Sequence, residues 1–373
     1  MPSLVPPSAL ADKTLVWFDA NARVLPWRVR PGERADPYRV WLSEIFLQQT
    51  TTSGAAPYFA KFTARWPDVA ALAAAPIEEV MNAFAGLGYY SRARNLHAAA
   101  RAVAAAGGVF PSDEADLRAL PGVGAYTAAA IAAIAFGRPA TPIDGNIARI
   151  VSRLAGFSAP IPDNRRAIED FARKLTPQRR AGDFAQALMD IGATICRPKA
   201  PACLACPLRE GCRAAASGEP EAYPGRPVKK PRPEKVGAAF FAERPNGAFL
   251  ARRRPPKGLL GGTMELPGGA WRVGEIAQVG PEEAPFAADW LRLAEPVEHV
   301  FTHFSLRLAF FPAPAPVAAP EGMVFVAPDE IDAAGFSGLM RKAALSARAQ
   351  NPGSRSVARN PPSGLCPSSS APP

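Results

Sequence analysis

Three sets of residues in this chain have types and spacings that can do chemistry. Glu44 lies in the segment WLSEIFLQQT, Trp41 to Thr50. Read as a helix, the segment puts Glu44 on one face with Val40, Trp41, Leu47 and Gln48, of which only Gln48 is polar. A carboxyl among apolar neighbours loses hydration, so its charged form is disfavoured and it can hold a proton near neutral pH. That is the profile of a general acid; a solvated or structural glutamate is the plainer alternative. The second set is Cys196, Cys203, Cys206 and Cys212, spaced C-x6-C-x2-C-x5-C. Four thiolates this close can bind zinc or an iron–sulfur cluster. Only Cys203 and Cys206 form the short knuckle usual for zinc, so the spacing favours one [4Fe–4S] cluster. The third set is Gly122 and Gly124 in LPGVG, Leu120 to Gly124. These glycines turn the chain tightly and bare N–H groups at the start of a helix, which suits a phosphate.

The elements that must position these groups fall into two compositional halves. Residues 11–216 are rich in alanine and leucine and read as an all-α domain. Helices are expected at Ala98–Ala106, Glu114–Ala119 and Ala125–Phe136, punctuated by Gly107-Gly108, Pro111, Gly137 and Pro139. The LPGVG turn therefore sits in a helix–hairpin–helix. Asp144, in Asp-Gly-Asn before an apolar stretch, reads as a helix N-cap. Residues 217–234 hold five prolines and two glycines and are expected to be an extended linker. Residues 235–345 read as an α+β domain. Short strands are expected at Val236–Phe241, Ala248–Arg252, Val297–Thr302, Leu306–Phe311 and Val324–Ala327, with helices near Pro285–Leu293 and Ser337–Ala347. Residues 346–373 are expected to be a disordered tail, and Cys366 within it is given no metal role.

Composition narrows the partners. The 373 residues carry 43 basic and 33 acidic side chains, a net charge of +10, which points to a polyanion. The most apolar window, Thr127 to Phe136, is far shorter than the roughly 20 residues of a membrane span, so no membrane partner is expected. The N-terminal Met1–Leu10 does not read as a secretory leader. Clustered cysteines without a disulfide framework fit a reducing compartment, so a cytoplasmic protein is expected. With only three histidines (His97, His299 and His303), histidine-based metal or triad chemistry has little to draw on.

The order LPGVG, TPIDGN (Thr141 to Asn146) and the four-cysteine loop resembles the helix–hairpin–helix DNA glycosylases of the endonuclease III superfamily over residues 12–215. One branch of that superfamily carries a nucleophilic lysine two residues past the second glycine. Here that position is Tyr126, and no lysine occurs between Lys61 and Lys174. A lysine Schiff-base lyase has no nucleophile in this region. The segment LPWR, DPY and WLSEIFLQQT (Leu25 to Thr50) is similar to the signature of MutY-type adenine DNA glycosylases. The resemblance implies a monofunctional glycosylase of base excision repair that releases adenine mispaired with 8-oxoguanine or guanine in duplex DNA. It makes Glu44 the catalytic acid and Asp144 the carboxylate that stabilises the sugar cation. It places Tyr126 and Asn146 in the same pocket, Arg28 and Gln186 against the flipped base, and Gln48, Gln49 and Tyr89 in the base stack. A monomer working at the bacterial nucleoid is expected. The basic Arg92 and Arg94 beside Tyr89 are expected to face DNA.

The second half resembles the Nudix-like C-terminal domain of the same family, which reads 8-oxoguanine. After LPGG (Leu266–Gly269) come Glu275, Glu282 and Glu283, without the helical acidic cluster that Mg²⁺-dependent hydrolysis needs, so a binding module is expected. The recognition loop, usually Phe-Ser-His, is Phe301-Thr302-His303 here, which makes Thr302 and His303 the candidate contacts. Two other readings stay open: a bifunctional endonuclease III-like lyase, and an inactive DNA-binding iron–sulfur protein.

Overall fold

The computed structural model describes residues 5–87, 91–227, 231–256 and 258–350. The chain divides near residue 230 into two units. The first is helical: α1 (Pro7–Asn21), α2 (Pro37–Leu47), α3 (Thr52–Arg65), α4 (Val69–Ala74), α5 (Ile77–Phe84), α6 (Ser91–Ala105), α7 (Glu114–Ala119), α8 (Ala125–Ile134), α9 (Gly145–Ala155), α10 (Arg165–Leu175), α11 (Ala181–Thr194) and α12 (Arg213–Ala216). Its apolar residues gather into two cores. One joins α2, α3, α5, α6 and α8 around Trp41, Phe46, Phe62 and Phe84. The other joins α1, α9, α10 and α11 around Val151, Phe184 and Ile191.

Helix α8 is the axis between neighbours. Thr127 through Ala133 are all buried, and the run is mostly alanine, so small side chains let α2, α7 and α11 pack around it. Helix α2 is also buried nearly all round: Val40 through Phe46 without a break. It starts cleanly because Asp36 accepts from the Tyr38 N–H at 2.9 Å and Pro37 occupies the first turn. Asp144 caps α9 as expected, accepting from the Ile147 N–H at 2.6 Å, and Gly156 ends the helix in the left-handed region.

The stretch expected to be an extended linker is partly laid on this unit. Pro220–Ala222 form a 3-10 turn, and Glu221 accepts from the Ala200 N–H at 2.8 Å. Gly225 donates to the Ser158 carbonyl at 2.8 Å, and the Tyr223 carbonyl accepts from Arg153 at 3.0 Å. The backbone donors and acceptors of a proline-rich segment found partners that composition does not reveal.

The second unit is a mixed sheet with one long helix. Its strands are β1 (Glu234–Glu243), β2 (Phe249–Arg253), β3 (Met264–Glu265), β4 (Arg272–Val273), β5 (Val297–Val300), β6 (Ser305–Pro314) and β7 (Met323–Val326), followed by α13 (Gly338–Gln350). The order is β3-β2-β1-β6-β5, with β4 on β1 and β7 on β2. β1 and β6 run parallel from Glu234 opposite Ser305 to Glu243 opposite Pro314. Both are buried over most of their length, which fits the apolar runs that marked them. Leu339, Met340, Ala343, Ala344 and Ala347 of α13 cover one face. The helix runs past the expected domain end, into the stretch read as tail.

One expectation fails. No helix forms at Pro285–Leu293. The segment instead runs beside β6, where the Leu293 N–H donates to the Phe310 carbonyl at 2.9 Å. Trp290 packs edge-on to Phe240 at 5.0 Å. Extended pairing and one aromatic anchor override a helical pattern broken by Pro281, Pro285 and Pro296. No described helix is long and apolar enough to cross a membrane.

Candidate active site

A cavity of about 570 Å³ opens between α2, α8, α9 and α11. Glu44, Tyr126, Asp144, Asn146, Arg28 and Gln186 line it together, and so do Gln48 and Gln49. The residues come from distant parts of the chain, and helix packing alone brings them to one place. Tyr89 lies outside the described residues.

Glu44 is 4% exposed. Because α2 is buried on all sides, the desolvation is more complete than one apolar face would give. Burial is the main cause that raises its carboxyl from 4.5 to about 7. The Tyr126 hydroxyl and Arg28 work against that rise, while the Asp144 carboxylate adds to it. Oε2 of Glu44 is a buried oxygen with no hydrogen-bond partner. Tyr126 is itself pushed well up by burial and by the two carboxylates, so its phenol stays protonated and can donate. Asp144 is also raised by burial, but the Ile147 N–H and the Asn146 amide favour its charge. The two carboxyls therefore differ in kind. Burial raises both, but Glu44 keeps an oxygen without a partner, whereas Asp144 accepts from a helix N-terminus and an amide that favour its charge.

Asp190 was not singled out from the sequence. It is fully buried on α11 and binds two arginines. Arg28 donates from both terminal nitrogens, at 2.6 and 2.9 Å, and Arg23 donates through Nε at 2.5 Å. This fixes the Arg28 guanidinium against the cavity wall. A single aspartate in an apolar helix gave no sequence signal, because its partners are 162 and 167 residues away.

Gln48 and Gln49 follow the end of α2. Gln48 Nε2 is 3.5 Å from Thr127 Oγ1, and Gln49 adopts a φ of 60°, a left-handed conformation unusual for a non-glycine residue. Arg92 corrects an expectation. It is buried rather than facing DNA, and its guanidinium donates to the carbonyls of Ile45, Gln48 and Leu87. It holds the C-terminal end of the helix that carries Glu44.

The hairpin forms as its sequence suggested. Gly122 has a φ of 75°, and a Cβ there would come 2.6 Å from Cβ of Asn95. Gly124 is exposed and starts α8 without a side-chain cap, so the first N–H groups of the helix remain available to an anion. In the second unit, Thr302 and His303 are exposed at the tip between β5 and β6.

The cysteine loop wraps one cavity lined by Cys196, Cys203, Cys206 and Cys212. Burial pushes Cys206 up to about 12 and raises Cys212, and the other cysteines push in the same direction. Four thiolates can coexist there only around a positive centre, so the donor set fits a metal group. No three His, Cys, Asp or Glu among the described residues converge on a single-ion site; the thiols surround a space instead. Two arginines of α9 tie this loop to the helical core. Arg153 donates to Cys196 Sγ at 3.3 Å and to the carbonyls of Arg197 and Pro198. Arg149 donates to the Cys196 carbonyl at 2.9 Å and to Asn146 Oδ1 at 2.8 Å. The cysteine loop and the segment carrying Asp144 thus share one guanidinium.

Residues 42–178 match the family model described as HhH-GPD superfamily base excision DNA repair protein, and residues 238–345 match the NUDIX domain. The chain is 32% identical to a Homo sapiens adenine DNA glycosylase, covering 93% of this chain and 75% of that protein. It is 39% identical to an adenine DNA glycosylase of Mycolicibacterium smegmatis, covering 58% of this chain and 73% of that protein. Among solved structures, a thermostable thymine-DNA glycosylase is 30% identical with a TM-score of 0.51, covering 57% of this chain and 97% of that one.

Two outcomes follow from the buried charges. Glu44 binds its proton more tightly folded than unfolded, so its contribution to stability is complete below pH 4.5 and is lost as pH rises through about 7. Glu44→Gln is therefore expected to be more stable than the wild type at pH 8, by up to about 3.5 kcal/mol at about 1.4 kcal/mol per pKa unit, with the gain shrinking towards pH 4.5. Denaturant titrations at the two pH values measure this. Asp190→Ala leaves Arg23 and Arg28 facing each other unpaired and is expected to cost about 3–5 kcal/mol in the same titration.

Proposed function

The chain belongs to the adenine DNA glycosylase family, and from that membership we propose that it removes adenine paired with 8-oxoguanine or guanine in duplex DNA. Release of adenine by hydrolysis of an N-glycosyl bond, in base excision repair, is the activity of the family. The observation that supports these residue roles best is the carboxyl of Glu44, held to about 7 in a cavity it shares with Asp144.

An adenine stacked in a duplex is out of reach, so the nucleotide must first swing into the cavity. Gly122 and Gly124 hold a backbone phosphate through main-chain N–H groups. Gln48 and Gln49 occupy the base stack, and Arg28 and Gln186 bind the edge of the displaced adenine. The protonated Glu44 donates to N7 of adenine. The C1′–N9 bond then breaks, its electron pair leaves with adenine, and the sugar becomes an oxocarbenium ion. The Asp144 carboxylate stabilises that cation, with Tyr126 and Asn146 holding the two acids apart in role. Water adds at C1′ and gives its proton to the now ionised Glu44, leaving an abasic site and free adenine and restoring the acid. Tyr126 stands where a lyase would need lysine, so no Schiff base forms.

Cys196, Cys203, Cys206 and Cys212 would hold one [4Fe–4S] cluster. Bound there, the cluster would supply Fe–S bonds that fix the loop against α9 and α11. In the second unit, Thr302 and His303 contact the 8-oxoguanine opposite the adenine. Glu275, Glu282 and Glu283 share no helix that could gather them around Mg²⁺, which supports a role in binding rather than phosphate hydrolysis. The protein acts as a monomer in the bacterial cytoplasm, at the nucleoid.

Single-turnover cleavage of a duplex carrying adenine opposite 8-oxoguanine tests the reading. The wild type is expected to release adenine, with a rate that is level below about pH 7 and falls roughly tenfold per unit above it. Glu44→Gln is expected to lose at least about 10²-fold in rate while still binding the duplex. Full activity in that variant would refute the acid assignment, and efficient borohydride trapping through one lysine would favour a lyase. Iron analysis of protein purified without oxygen is expected to find about four iron atoms per chain. Cys203→Ala is expected to lower that content.

A further inference from the structure

We propose that Trp271 is the platform that sets the recognition tip, and through it the preference for 8-oxoguanine over guanine opposite the adenine. The inference rests on reading Thr302 and His303 as the contacts to that base. The tip is short: the Phe301 N–H donates to the Phe304 carbonyl at 2.8 Å, leaving only Thr302 and His303 between them. Closure by that hydrogen bond brings the Phe301 and Phe304 rings to 4.7 Å from each other, tilted by 31°. Both rings lean on Trp271, at 5.8 and 6.4 Å. The two exposed recognition residues therefore stand on two aromatic feet, and Trp271 is the floor beneath both.

Trp271 is itself fixed from behind. A Cβ at position 237 would come 2.7 Å from Trp271 Cδ1, so Gly237 of β1 is what lets the indole sit against the sheet. The Arg254 guanidinium lies 5.1 Å from the indole ring. Arg254 is in turn ion-paired with Glu265, a carboxylate only 3% exposed, whose other oxygen accepts from Arg252 at 2.9 Å. Arg252 also donates to the Gly268 carbonyl, which anchors the loop that leads into Trp271. A buried charge held at both oxygens is a stiff mount. Glu265, Arg254 and Trp271 thus form one line of contacts from the interior of the sheet to the exposed tip.

Recognising a base that differs from guanine by one oxygen at C8 and a hydrogen moved to N7 requires donors and acceptors placed to within a fraction of an ångström. A tip on a loose loop would order itself in each complex and lose discrimination. Trp271 is a positioning residue, because it acts through Phe301 and Phe304 and touches no reacting atom.

The test uses the full chain and single-turnover rates on two duplexes, with adenine opposite 8-oxoguanine and opposite guanine. The readout is the ratio of the two rates, which does not depend on the fraction of active protein. Trp271→Ala is expected to lower that ratio by about tenfold, the scale to which one aromatic contact converts. Trp271→Phe is expected to restore most of it. In a His303→Ala background, Trp271→Ala is expected to add little, since both changes act through the same tip. If Trp271→Ala fails to fold, Phe304→Leu takes its place, removing one ring from the platform and lowering the ratio in the same direction. A ratio unchanged in a folded variant, with a wild type that discriminates, would overturn the proposal. Full additivity with His303→Ala would overturn it too. A wild type that shows no preference for 8-oxoguanine would instead overturn the reading of Thr302 and His303 as contacts to that base, and the Trp271 proposal with it.

Discussion

A carboxyl that must keep its proton near neutral pH has to be kept from water, and the helical unit is arranged around that requirement. Glu44 sits on a helix buried from Val40 to Phe46, in a core of aromatic side chains that leaves its Oε2 without a partner. Such burial works against folding as soon as the group ionises. The surrounding structure therefore has to hold α2 rigidly, and it does so with strong, specific contacts. Asp36 caps its start, Arg92 gathers the carbonyls at its end, and the alanines of α8 pack along it. The same neighbourhood treats Asp144 differently, since a helix N-terminus and an amide compensate its charge. Two identical functional groups thus acquire distinct chemistry from their surroundings.

Helix α9 carries a second kind of linkage. Asp144 caps its start, Arg149 lies one turn further on, and Arg153 another turn beyond. These three positions, on one stretch of helix, touch the cavity that Glu44 lines, the residue Asn146 beside it, and the cysteine loop in turn. Gly192 on α11 takes part because a Cβ there would come 2.6 Å from Asn146 Cβ. Any group that tightens the cysteine loop is therefore mechanically continuous with the segment that holds Asp144, through the guanidinium hydrogen bonds of Arg149 and Arg153.

The second unit applies the same logic with different materials. Its sheet core is built on parallel, nearly fully buried strands β1 and β6, and the residues proposed to read the opposite base are lifted off the end of β6 on a very short turn. A short turn alone fixes a backbone but not the direction of its side chains. The aromatic cluster beneath the tip supplies that direction, and the ion pair at Glu265 holds the cluster in place.

The sequence by itself determined what depends on neighbours along the chain. The apolar spacing around Glu44, the N-cap at Asp144, the Gly-x-Gly turn and the cysteine spacing are all local, so their signals survive without a fold. The absent lysine at Tyr126 is likewise a matter of one position. Packing alone made Asp190 clamp Arg23 and Arg28, which each lie more than 160 residues from it. It also turned Arg92 inward, laid part of the proline-rich stretch on the helical unit, and drew Pro285–Leu293 alongside β6 in place of a helix. The reason is common to all of these. A buried charge or an unpaired backbone group must find a partner wherever packing brings one, and pattern along the chain does not encode where that will be.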